Sequence, residues 1–277
     1  MRLRSRLSRF AAFSTLLVVA GLAAAPIIWG LVTALKLPEQ ILTYPPQWIP
    51  KPASFRNFIQ VWEKSNLPIY FRNSVIVSAI TVLLSLIIGG HAAYGLARFK
   101  FRGRSSLMVA LLATSMIPGI AILVPLYHLA VATNLYNSFL GLTIVYTAWN
   151  IPILVWLLKG FFESIPLELE EAAQVDGCSR WRTFYQIVLP LARPGLLSGG
   201  IMVLMFTWND FLIAFTLTIS EQRRLLSVGL YTYISNYGID WGSLMAATSI
   251  ALLPVLAVFF ILQRQLVEGL MAGAVKG

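Results

Sequence analysis

The amino-acid sequence predicts an all-α integral membrane protein of six transmembrane helices, and three observations carry that prediction. Of 277 residues, 58% are hydrophobic and only 12% are charged. Soluble domains carry roughly a quarter charged residues, so this chain has too little polar surface to coat a globule in water, and lipid must solvate much of it. Six apolar stretches of about 20 residues or more can each cross a bilayer core as a helix, which satisfies every backbone polar group within the segment. The 21 basic residues lie wholly outside those stretches.

The stretches run over 10–35, 74–97, 105–127, 139–158, 195–220 and 243–263, and Asp210 is the one formally charged residue inside them. A secretory signal is the rival reading of the first, because Arg2, Arg4, Arg6 and Arg9 precede an apolar run ending in Ala23, Ala24 and Ala25. The run continues through Ile27, Ile28 and Trp29 to Leu35, which favours a retained span. In the second stretch Ser85, Gly89, Ala93 and Ala97 recur every four residues, a stripe along which another helix can approach closely. Pro26, Pro118, Pro125, Pro152 and Pro254 each remove a backbone donor and favour a kink.

Charge fixes the orientation. With six spans both termini share a side, and that side holds fourteen basic residues against seven on the other. The positive-inside bias therefore places both termini in the cytoplasm, with the cluster Arg98, Lys100, Arg102 and Arg104 as the firmest anchor. The segments 36–73 and 221–242 become external loops. The first is rich in proline and carries Trp48 and Trp62, the composition of a rigid segment on the membrane surface. The second carries Tyr231, Tyr233, Asn236, Tyr237 and Trp241.

The longest inner loop, 159–193, is the informative one. After Pro166 it reads as a helix with Glu168, Glu170 and Glu171 where the helix dipole favours negative charge, closed by Gly177 in the left-handed conformation. A second short helix follows Ser179 as cap, with Trp181, Phe184, Tyr185 and Val188 on one face, and Pro190 is expected to stop it. By physics alone an amphipathic hairpin resting on the inner leaflet is an equal reading.

Spacing changes that balance. Glu171-Ala172-Ala173, three residues, Gly177, nine residues, Ile187, one residue, Leu189-Pro190 matches at every position the loop named for its E-A-A motif in ABC importer permeases. The chain resembles that family, and the stretches 92–104, 206–211 and 263–277 resemble its carbohydrate-uptake branch. The resemblance implies a type I ABC importer permease in a plasma (inner) membrane. Its partners would be a second homologous permease subunit, two ATPase subunits and an external solute-binding protein. It further implies that Glu171, Ala172, Ala173, Asp176, Gly177, Cys178, Ile187, Leu189 and Pro190 serve ATPase docking, with Asp176, Gly177 and Cys178 as the elbow. In relatives the C-terminal tail reaches between the ATPase subunits, so Gly273, Ala274, Val275, Lys276 and Gly277 are candidates for the same contact, with a frayed tail as the alternative. External loop 221–242 is a candidate contact for the solute-binding protein, an ordinary aromatic belt being the competing reading.

The chain has no G-x-x-x-x-G-K-[ST] phosphate loop, so ATP and Mg belong to the partner ATPase and no cofactor is assigned to this chain. No catalytic or metal site is expected. Cys178 stands alone, and His91 and His128 lack carboxylate partners at ligand spacing. The net charge of +10 comes in short clusters without aromatic interleaving, which argues against a nucleic-acid partner. Asp210 is costly in a membrane unless it faces protein or water, making Trp208, Asn209 and Asp210 candidates for the substrate pathway. Asp210 lies roughly 22 Å into its span, past the midplane, which favours an interhelical hydrogen-bond network instead. An ion-coupled secondary transporter is the alternative function, but it would call for midplane ionisable groups and repeated halves.

Overall fold

The computed structural model describes residues 2–235 and 238–274, with side chains described over 12–235 and 238–263. The apolar runs fold into α1 (Arg2–Ala34), α3 (Leu67–Arg98), α4 (Arg104–Ser115), α5 (Gly119–Ala132), α6 (Phe139–Ser164), α9 (Arg193–Asn209) and α12 (Trp241–Ala274). Shorter helices are α2 (Arg56–Glu63), α7 (Glu168–Val175), α8 (Arg180–Leu191), α10 (Leu212–Leu217) and α11 (Leu226–Tyr231). An antiparallel ribbon pairs Ile234–Ser235 with Gly238–Ile239, a small exception to the all-helical expectation.

By length and hydropathy α1, α3, α6 and α12 each suffice to cross a membrane, and two bent pairs bring the total to as many as six. The bends correct two expected spans. The stretch 105–127 is not one helix: α4 and α5 meet at 93° across Met116, Ile117 and Pro118. Pro118 has no N–H to donate and pushes Ile117 out of helical backbone. The stretch 195–220 is also broken, because Asp210 adopts extended backbone (φ −66°, ψ 131°) and ends α9.

Other boundaries move less. α3 starts seven residues before the expected 74, and α6 runs six residues beyond 158. Its extension is held by Glu163, whose carboxylate accepts from Lys159 at 2.7 Å and from Arg104 at 2.6 Å. The segment 36–73, expected to be external, includes the helix α2, and 221–242 includes α11 and the ribbon. Pro190 does not stop its helix: α8 runs to Leu191, through a wide π turn over Phe184–Val188 that lies just before the proline. A wider turn relieves the clash between a proline ring and the preceding carbonyl and leaves no donor missing from a tight ladder. The chain turns by 75° between α8 and α9 at Ala192, two residues before Pro194.

Contacts divide the chain into two compact units, Met1–Pro68 with Gly229–Leu253, and Ile69–Val228 with Pro254–Gly277. In the first, the Asn57 side chain of α2 donates to the carbonyls of Ala34 and Lys36 at 2.9 and 2.8 Å, satisfying the open C-terminal end of α1. Burial lowers the pKa of Lys36, whose ammonium lies 4.2 Å from the centre of the Trp29 ring. Phe13, Leu16, Leu17, Val18 and Leu22 of α1 are exposed within this chain, as suits a helix facing lipid or another subunit.

The second unit has two cores. One gathers Leu142, Tyr146, Ile213, Ala214, Leu217 and Leu225. The other gathers Leu154, Leu158, Phe162, Phe184, Val188 and Val203. Leu154 is fully buried where α3, α6 and α9 cross, and the crossing depends on two glycines. A Cβ on Gly89 would fall 2.9 Å from one δ-methyl of Leu154, and a Cβ on Gly199 would fall 2.5 Å from the other. Absence of a side chain at both positions lets the backbones approach.

Candidate functional site

The loop between α6 and α9 folds into two short helices joined by a tight elbow. α7 ends in a Schellman turn: the Cys178 N–H donates to the Ala173 carbonyl at 2.9 Å and the Gly177 N–H donates to the Gln174 carbonyl at 3.1 Å. Gly177 takes φ +86°, which L side chains rarely adopt, and its Cβ position meets nothing within 4 Å. The Ser179 hydroxyl then caps α8 by accepting the Arg182 N–H at 3.3 Å. A left-handed glycine followed, after one intervening residue, by a cap joins the two helices through a short turn.

The motif residues separate into a seat and a tip. Ala173 is buried and half-buried Leu189 packs against the second core, so these two hold the helices in place. Glu171, Ala172, Asp176, Gly177 and Pro190 are exposed, with Cys178 and Ile187 half-buried. Val175 is 87% exposed and Trp181 67%, a display of apolar surface that is costly in water. Glu171 forms no ion pair among the described residues.

One residue of this site was not singled out from the sequence. Glu170 is only 3% exposed; its Oε1 accepts from Arg98 Nε at 2.5 Å and its Oε2 accepts from the Tyr94 hydroxyl at 2.7 Å. Nothing in the run Glu168, Glu170, Glu171 separates the buried carboxylate from its neighbours except helical phase: 170 and 173 share the face of α7 that turns inward.

The expected pathway residues do not form one cluster. Trp208 is 7% exposed and meets the Phe71 ring edge-on at 5.8 Å, lining an apolar groove with Val75, Ser78, Ala79 and Pro254. Asn209 and Asp210 lie instead along an open depression of about 590 Å³ with Met202, Met205 and Phe206. Trp208 therefore faces away from Asn209, because consecutive helical residues point to different faces.

Asp210 also has structural work. Its Oδ2 accepts the Tyr146 hydroxyl at 2.8 Å and the N–H groups of Ile213 and Ala214 at 3.0 and 3.2 Å, capping the short helix after the break. Its carbonyl accepts the Ser227 hydroxyl at 2.6 Å. Asp210→Ala is expected to destabilise the protein by about 1–3 kcal/mol, the cost of a lost cap and an orphaned buried hydroxyl. Asp210→Asn, which keeps an acceptor in place, should recover most of it; thermal unfolding in detergent reads both. Of the tail candidates, Val275, Lys276 and Gly277 lie outside the described residues, and of Gly273 and Ala274 only the helical backbone is described.

A bundle of apolar helices with two broken spans, a depression along one of them and a helical elbow presented outside it defines a multi-pass membrane permease. Residues 81–271 match the family model of the binding-protein-dependent transport system inner membrane component, and the chain belongs to that family of ABC transporter permeases. It is 35% identical over 269 residues to the sulfoquinovosyl glycerol transport system permease protein SmoH of Agrobacterium fabrum, covering 97% of this chain and 93% of that one. It is 34% identical over 252 residues to the diacetylchitobiose uptake system permease protein DasC of Streptomyces coelicolor, covering 91% of each. A solved bacterial ABC transporter that imports the acidic polysaccharide alginate shares the fold, with a TM-score of 0.79 at 22% identity over 94% of this chain and 96% of that one.

Proposed function

We propose that this chain is one of two permease subunits of an importer for a sugar or sugar-like solute, driven by a separate pair of ATPase subunits that carry the ATP and Mg. The observation that carries this reading is the elbow, exposed at Val175, Asp176 and Gly177, set at the family's spacing and framed by exposed Glu171, Ala172 and Pro190. The carbohydrate class is supported by relatives named for a sulfoquinovosyl glycerol and a diacetylchitobiose system, which match over nearly the whole chain. The excess of basic residues on the elbow's side of the spans, fourteen against seven, supports placing it, with both termini, in the cytoplasm. A solute-binding protein delivers the solute to the opposite face.

In this mechanism ATP binding closes the ATPase pair, the docked elbows follow, and the two permease subunits switch between inward-facing and outward-facing states around a shared cavity. The depression along Met202, Phe206 and Asn209 is this chain's contribution to that cavity. The work comes from the differential stability of the two states with and without nucleotide. Expressed with the neighbouring subunits, the chain should co-purify with an ATPase whose hydrolysis in proteoliposomes rises severalfold on adding the loaded binding protein. Hydrolysis indifferent to that protein, or uptake that survives ATP depletion, would overturn the reading.

A further inference from the structure

Three residues on one face of α3, His91, Tyr94 and Arg98, stand at helical spacing i, i+3 and i+7, and each engages the folded loop. Arg98 holds two acceptors at once. Nε donates to Glu170 of α7 at 2.5 Å, and a terminal nitrogen donates to the carbonyl of Ile165 at 2.9 Å, where α6 ends. Tyr94 donates to the other oxygen of Glu170 and packs its ring 4.5 Å from Phe184 of α8. His91 bonds the Ile87 carbonyl through Nδ1 at 2.6 Å, which in the neutral ring leaves Nε2 to accept from the Tyr185 hydroxyl at 2.8 Å. Tyr185 lies in the π turn of α8, one residue from buried Phe184.

Within three helical turns, α3 is thus bonded to the end of α6, to α7 and to α8. The ion pair has side-chain exposures of 11% and 4%, a setting where a charge-assisted bond is stronger than in water, and the planar guanidinium fixes both partners in direction. Glu170 and Glu171 are successive residues of one short helix, the first locked to α3 and the second facing outward. We infer that the His91–Tyr94–Arg98 face is a mechanical lock that makes the docking elbow and the inner end of α3 one rigid body, so that displacement of the elbow becomes rotation of a membrane span. This inference rests on the ATPase-docking reading above. Arg98, Tyr94, Glu170 and Tyr185 are positioning residues in it. Rigid-body movement of a packed unit is the general way a small displacement is carried across a bundle.

The test uses the assembled permease–ATPase complex in nanodiscs, with nitroxide labels on non-natural residues replacing exposed Leu83 and Glu168. About 22 Å of helix rise separates Leu83 from Arg98, a span within range of pulsed spin-label distance measurement. With Glu170 intact, the distance distribution should be the same without nucleotide and when trapped with ATP, Mg and vanadate. In Glu170→Gln the ATPase should still co-purify, and the distribution should shift or double in width in the trapped state alone. A merely stabilising bond would loosen both states alike. A nucleotide-dependent shift of about 5 Å, one helical turn, with Glu170 intact would overturn the lock. So would a Glu170→Gln distribution indifferent to nucleotide, or loss of the ATPase from that variant. Failure of the unsubstituted chain to retain an ATPase would instead sink the docking reading itself. Should Glu170→Gln fail to insert, Tyr94→Phe with Tyr185→Phe removes two hydroxyls and no ring, and the same two outcomes decide.

Discussion

Gly177→Asp is expected to leave a correctly inserted permease that no longer retains its ATPase and no longer supports uptake. Two physical effects act at that position. Gly177 holds φ +86°, and an L residue forced there costs about 1–2 kcal/mol, so the Schellman turn that closes α7 opens or distorts. The elbow is also the point where two backbones would meet, and a side chain with a second carboxylate beside Asp176 separates them. The bundle itself is spared, because beyond the two neighbouring residues nothing lies within 4 Å of the added Cβ. Gly177→Ala isolates the backbone effect and should weaken ATPase retention by roughly five- to thirtyfold, the equivalent of that 1–2 kcal/mol. Co-purification at normal yield and uptake at normal rate in Gly177→Asp would remove the elbow from the docking surface.

Gly199→Leu is expected to cost substantial stability, because it overfills the crossing of α3, α6 and α9. Leu154 of α6 fills the space left by Gly199 on one side and Gly89 on the other, so it has no free direction in which to yield. Overpacking of a filled core ordinarily costs about 1–3 kcal/mol, and a large side chain at a backbone crossing belongs at or above the top of that range. The measurement is the unfolding midpoint of the purified chain, with Gly160→Leu as the comparison. Gly160 sits on α6 with nothing within 4 Å of its Cβ position, so that change should leave the midpoint unmoved. Leu154→Ala in the Gly199→Leu background should restore part of the loss; if it restores none, the crossing is not where the strain lies.

These two glycines differ in how far they can be read from sequence. Gly177 is legible because a helix, a polar turn and a second cap surround it, and the spacing to Ile187 and Pro190 identifies the loop. Gly199 sits in an apolar run with another glycine beside it, and only the crossing partner shows which of them makes room. The same limit applies to Asp210. Its cost in a membrane marks it at once, yet the sequence suggests a solute contact and a structural bond with nearly equal force. The structure gives the bond, because the residue ends one helix and caps the next. Trp208 faces away from it, because residues two apart on a helix diverge by about 200° and Asp210 has already left the helix.

What the sequence by itself determined was the solvent, the count of apolar stretches and the family. These follow from composition, from the length a bilayer imposes and from a spaced motif, all local or one-dimensional properties. Tertiary structure alone decided where the spans break, which motif residues seat the loop and which face outward, and that Glu170, not the motif's own glutamate, bonds to α3. Those facts depend on helical phase and on partners more than 60 residues away, as in Arg98 with Glu170 and Tyr146 with Asp210. A linear pattern records that a carboxylate is present, whereas the free energy of burying it depends on which donor the fold brings within reach.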